Sequence, residues 1–138
     1  MPAVPAFFSD PWASAVCDAL NASDDYRQSA ATWDGAIRFV ARGVPGAEPE
    51  RAVWLDLRHG ACHGTQTGPP AAAAEAPFEI AAAYPVWTEV LAGRLDPVMG
   101  MMLGKLKLSG SMAQIASHAA AAKALVACAS SVETSEPA

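Results

Sequence analysis

Apolar positions recur first at helical spacing, then at strand spacing from Asp34, and at helical spacing again from Tyr84. Trp12, Ala15, Val16, Ala19 and Leu20 fall at i, i+3, i+4, i+7 and i+8. With Ser9 or Asp10 to cap and Pro11 at the first position, this predicts a helix ending at Asn21. Ser23 opens a second helix in which Tyr26, Ala30 and Trp33 share a face. Ile37, Phe39 and Ala41 then alternate with Arg38, Val40 and Arg42, and Val53, Leu55 and Leu57 with Trp54, Asp56 and Arg58. Period two predicts half-buried strands whose first-named residues face a core. Gly43 to Pro49 connects them, Gly60 marks a tight turn, and Ala61 to Thr65 returns as a third strand. Gly68 to Pro77 is a surface connection to a fourth strand, Phe78 to Ala82.

Tyr84 to Gly110 is the densest apolar block, read as two short helices and a fifth strand. Asp96 can cap the second helix, with Pro97 at its first position. Val98, Met99, Met101, Met102 and Leu103 would then clothe every side of it, so the helix is expected to be buried or to line an apolar space. Three methionines favour the lining role, because flexible thioethers adapt to varied shapes. Lys105 to Ser109 alternates, with Leu106 and Leu108 inward and the lysines in water. Ser111 and Gln114 suggest a capping box for a last helix running to Ser130, its apolar stripe formed by Met112, Ile115, Ala119, Ala122 and Val126. Gln114, Ser117 and His118 are expected on the opposite side.

Composition narrows the class of protein. The 138 residues suit one domain, read as 9–130 between a loose arm at 1–8 and a frayed tail at 131–138. Hydrophobic residues make up 52%, much of it alanine, yet no window approaches the roughly twenty apolar residues of a membrane span. The first residues lack a basic segment followed by an apolar one, which reads as no secretory signal. Cys17, Cys62 and Cys128 are scattered, and a reducing cytoplasm is the default expectation. The net charge of -5 argues against nucleic acid and against electrostatic docking on anionic membranes.

Chemistry-bearing clusters are few. His59, Cys62 and His63 could hold zinc, but no fourth ligand is evident nearby. Cys62 as nucleophile with His59 as base lacks an orienting carboxylate and oxyanion donors. Lys105, Lys107, Arg58 and Arg94 either attract a headgroup or form a solvated face, and the solvated face is the expectation. Trp54 and Trp87 read as packing residues. No metal or cofactor is expected.

The order Trp87, Leu91-Ala92-Gly93, Asp96-Pro97 and Gly104-Lys105-Leu106-Lys107-Leu108-Ser109-Gly110-Ser111-Met112 resembles the sterol carrier protein 2 (SCP2) family. Val53 to Gly60 and Phe78 to Ala82 resemble its second and fourth strands, and the first two helices resemble the extension of bacterial stand-alone members. The likeness spans roughly Trp33 to Ala129. It implies an α+β fold in which a five-stranded, mostly antiparallel sheet is covered on one face by helices, with an apolar cavity between them. It implies non-catalytic binding and transfer of fatty acids, acyl chains or sterol-like molecules. The expected walls are Ile37, Phe39, Val53, Leu55 and Leu57 from the sheet and Trp87, Leu91, Val98, Met99, Met101, Met102 and Leu103 from the helices. Leu106, Leu108, Met112 and Ile115 complete the set. Many members carry an aromatic pair and a glutamine where this chain has Met101, Met102 and Leu103, so the amide that would meet a polar headgroup is missing. The alternatives are a filled core and a ligand-free interaction or dimerisation module.

Overall fold

The computed structural model of the chain describes residues 9–43, 50–68 and 76–132. The expected arm at 1–8, most of the loops at 43–49 and 68–77, and the tail from 133 onward lie outside the described residues. The elements run α1 (Asp10–Ala22), α2 (Asp24–Ser29), β1 (Ile37–Arg42), β2 (Glu50–Arg58), β3 (Ala61–Gly68) and β4 (Phe78–Ala83). They continue with α3 (Tyr84–Leu91), α4 (Pro97–Met102), β5 (Lys107–Ser109), α5 (Met112–Ser117) and α6 (Ala119–Ser131). The sheet order is β3-β2-β1-β4-β5. Only the β1–β4 pair is parallel among these neighbours, so the sheet is mostly antiparallel, as the α+β reading expects.

The start signals act where the sequence put them. Ser9 Oγ accepts from Trp12 N at 3.3 Å, Ser23 Oγ from Tyr26 N at 3.1 Å, and Ser111 Oγ from Gln114 N at 3.2 Å. Each satisfies a helix amide that has no partner within the helix. The α1 stripe is driven inward, leaving Trp12, Ala13, Val16 and Leu20 buried. The β2–β3 turn places His59 and Gly60 at φ 53° and 80°, the paired left-handed conformation of a tight hairpin. A Cβ on Gly60 would stand 2.5 Å from the Arg27 carbonyl oxygen, so only glycine lets α2 approach this turn.

Four expectations change. Val40, expected in water, is buried, because β1 is central in the sheet and pairs Val40 with Ala52, also buried. The last helix is two helices. At His118 the backbone turns to φ -114°, ψ 34°, and its ring closes on Gln114 O at 2.9 Å and Thr32 Oγ1 at 3.0 Å. His118 therefore packs edge-on against Trp33, with ring centroids 5.1 Å apart, rather than facing away from the body. Finally, Cys17 and Cys62 do not stay apart as free thiols. They form a disulfide between α1 and β3, with Cα atoms 5.4 Å apart, and Cys128 alone stays a buried thiol.

Candidate functional site

Between the sheet and its helices lies a cavity of about 80 Å³. Every side chain around it is Trp, Phe, Ile, Leu, Val, Met, Pro or Ala, so nothing in the wall carries charge. The sheet supplies Ile37, Phe39, Val53, Leu55 and Ile80, which alternate with outward residues as period two requires. Trp12 and Val16 of α1 close one end. Trp87, Val90 and Leu91 of α3, Pro97 and Met101 of α4, and Leu106 form another side. Ile115 of α5 and Ala122, Leu125, Val126 and Ala129 of α6 cover it, the last four at i, i+3, i+4 and i+7 on one helical face. A second cavity of about 40 Å³, lined by Tyr26, Trp33, Leu57, His118 and Ala121, shares Ile37, Ile115, Ala122 and Leu125 with the first.

Of the residues expected in the wall, Ile37, Phe39, Val53, Leu55, Trp87, Leu91, Met101, Leu106 and Ile115 stand around the larger cavity. Leu57 stands at the smaller one. Val98 and Leu108 pack half-buried against the core instead, and Met112 is half-buried outside both linings. Met99, Met102 and Leu103 face outward, at 50%, 70% and 61% exposure. The reason is the contact beneath α4. A Cβ on Gly100 would meet Leu106 Cδ1 at 2.9 Å and Leu95 Cδ2 at 3.3 Å, so the helix sits down on the fold through its glycine. At about 100° per residue, Pro97 and Met101 share that inward arc while Met99, Met102 and Leu103 occupy the opposite one. Gly100 was the signal in the sequence that this apolar helix had a preferred inner side.

Sequence reasoning missed Trp12, Val16, Ile80, Val90, Pro97, Leu125 and Ala129. The α1 stripe was visible as a core face, but nothing local tells a core face from a cavity wall. Trp87 is fixed by donating its indole N–H to Val40 O at 2.9 Å, and Phe39 meets its ring nearly at right angles at 5.9 Å. Tyr26 contributes no charge either. Burial first, and then the nearby Cys128, push its phenol up to about 12, so it stays neutral across the ordinary pH range.

The polar clusters are placed elsewhere. Cys62 is taken up in the disulfide, so it offers no free thiol to a metal or a substrate. Asn21 clamps the same residue, donating from Nδ2 to Cys62 O at 2.9 Å and accepting from Cys62 N at 2.8 Å through Oδ1. Among the described residues no group of three ligand-type side chains is close enough for a metal ion. Arg58 pairs with Asp56 at 2.9 Å. Lys105 and Lys107 are exposed, as their alternation predicted. No described helix is long and apolar enough to cross a membrane.

The profile of the SCP-2 sterol transfer family matches residues 15–123. A crystal structure of sterol carrier protein 2 superposes with a TM-score of 0.83 at 42% identity, over 91% of this chain and 98% of its own. The solution structure of a possible sterol carrier protein from Thermus thermophilus does so with a TM-score of 0.83 at 39% identity, over 97% of this chain and 94% of its own. Sterol carrier protein 2 from Yarrowia lipolytica, in its apo form, shares the fold at TM-score 0.61 and 20% identity, over 94% and 97% of the two chains. No curated protein matches the sequence. A profile match over most of the length, joined to two relatives alike along nearly their whole chains, shows that this chain belongs to the SCP-2 sterol transfer family, whose members generally bind and transfer lipids.

Proposed function

We propose that the chain is a non-catalytic carrier that takes the apolar chain of a fatty acid, acyl derivative or sterol-like molecule into the space between sheet and helices. The observation that carries this reading is the uncharged wall around a cavity in a fold whose relatives are sterol carriers. Each methylene removed from water contributes on the order of 0.8 kcal/mol. A long acyl chain therefore brings a gross driving force above about 10 kcal/mol, and ordering costs reduce that to roughly micromolar binding.

Size adds a requirement. Small-molecule sites commonly enclose roughly 300 Å³ or more. The larger cavity holds about 80 Å³, so a long chain fits only if a wall moves. The α5–α6 cover is the wall that would give, because its Ile115, Ala122 and Leu125 line both cavities and their displacement would join the two. Loose selectivity follows, since an adaptable apolar wall without polar anchors reads little beyond length and bulk.

The test is titration with a fluorescent fatty acid in the absence of membranes, together with mass spectrometry of lipid released on denaturation. Met101→Trp, which fills the cavity side of α4, should weaken binding on the order of tenfold. Met102→Trp, on the outer side of the same helix, should leave it unchanged. Equal effects of the two, or no binding by the unmodified chain, would remove the carrier reading.

A further inference from the structure

Met99, Met102 and Leu103 are the large hydrophobic residues that stand exposed among the described residues, two on the outer arc of α4 and the third at its C-cap. Three large apolar side chains in one patch are an unfavourable use of surface unless something covers them. The surrounding charge identifies the cover. Although the whole chain carries -5, residues 89–132 hold four cations, Arg94, Lys105, Lys107 and Lys123, against two carboxylates, Glu89 and Asp96. Asp96 is engaged twice, capping α4 through the amides of Val98 and Met99 and lying 3.9 Å from Lys123 Nζ. Arg94, Lys105 and Lys107 are exposed and make no ion pair among the described residues. Lys105 is fixed beside the patch, since its backbone N–H donates to Gly100 O at 2.9 Å.

We infer that the outer arc of α4 is a docking surface for an anionic phospholipid bilayer, with Met99, Met102 and Leu103 entering the interface and Arg94, Lys105 and Lys107 meeting lipid phosphates. Exposed apolar side chains with unpaired cations close by in the chain suit the boundary between headgroups and acyl chains. The net negative charge set an expectation against such docking, and the local excess of cations in this segment runs the other way. The placement also has a use. Pro97 and Met101, on the inner arc of the same helix, line the cavity, so docking would bring the cavity wall to the membrane. This deepens the carrier reading by naming the surface with which lipid would be exchanged.

Co-sedimentation of the full chain with vesicles of phosphatidylcholine and phosphatidylglycerol, compared with phosphatidylcholine alone, tests the surface directly. Binding should be confined largely to the anionic vesicles and should weaken as salt is raised. Each cation near such a surface contributes roughly fivefold. Lys105→Glu with Lys107→Glu should therefore lose more than about tenfold, and Met102→Ser with Leu103→Ser should lose vesicle binding while melting temperature holds, because all four side chains are exposed. Unchanged binding in both double variants overturns the proposal, as does a concentration-dependent dimer that seals this face and binds no vesicles. Fatty-acid titration of the same variants without vesicles separates the two ideas. If it is retained while the unmodified chain ignores anionic vesicles, docking fails alone; if no fatty acid binds, the carrier reading fails.

Discussion

The two sides of the cavity are built differently. At the α1–β3 corner, side chains of one helix fill the core while a disulfide and the two hydrogen bonds of Asn21 fasten that helix to the edge strand. On the α5–α6 side, two helices broken at His118 bury chiefly Ile115, Ala121, Cys128 and Ala129 fully, and alanine offers little area to pack. Its polar ties among the described residues are single contacts: His118 to Thr32, Ser130 Oγ donating to Leu91 O at 2.6 Å, Cys128 Sγ donating to Ala19 O at 3.8 Å, and Lys123 Nζ lying 3.9 Å from Asp96. One wall is anchored to the sheet, and the other rests on it. Local opening draws on the elements with the least buried apolar contact, so under the proposed carrier function the resting wall is where an acyl chain would enter.

The largest test of this asymmetry is to cut the anchor. Cys17→Ser with Cys62→Ser, or a reductant, frees a loop closed by a sequence separation of 45. Loop-closure entropy for that length corresponds to about 4 kcal/mol of stability. Denaturant unfolding with and without reductant should show a loss of that order, and no loss would mean that the corner is not anchored by this bond. Single truncations sharpen the contrast. Leu20→Ala, on the fastened wall, removes a fully buried side chain and should cost about 3 kcal/mol. Leu125→Ala, half-buried over the cavity, should cost about 1 kcal/mol by the same measurement. Similar costs would erase the distinction.

An effect confined to alkaline pH lies at the smaller cavity, which Tyr26 helps to line. Tyr26 holds its proton to about 12 when folded and to its ordinary 10.0 when unfolded. Between those values the folded chain binds the proton that the unfolded chain has released. Stability present below pH 10 therefore falls as pH rises through the window, by roughly 2 kcal/mol at its top. Tyr26→Phe should lack that slope while other alkaline transitions remain. A Tyr26→Phe profile identical to the parent's would show that the phenol is wet.

The sequence made most of the fold legible because its signals were local. Serine and aspartate caps, Pro11 and Pro97, and two alternating strands each state their structure within a few residues. Three features depended on distant parts of the chain. Val40 reads as a solvent position until β1 is known to lie between β2 and β4. Cys17 and Cys62 read as scattered until α1 is laid along β3. His118 interrupts an alanine-rich helix that propensity alone would continue, because Thr32 and Trp33 hold its ring. The site was half visible for a similar reason. Met101 and Met102 have like chemistry, and only the seat of Gly100 on Leu106 assigns one to the cavity and the other to the surface.

Amide hydrogen exchange with and without a saturated long-chain fatty acid tests the central claim most directly. The account predicts fast exchange through residues 112–131 in the free chain, marked protection there on binding, and little change along Asp10–Ala22, which is slow in both states. Protection that appears in α1 instead, or ligand that binds while α5–α6 stays as slow as the sheet, would contradict it.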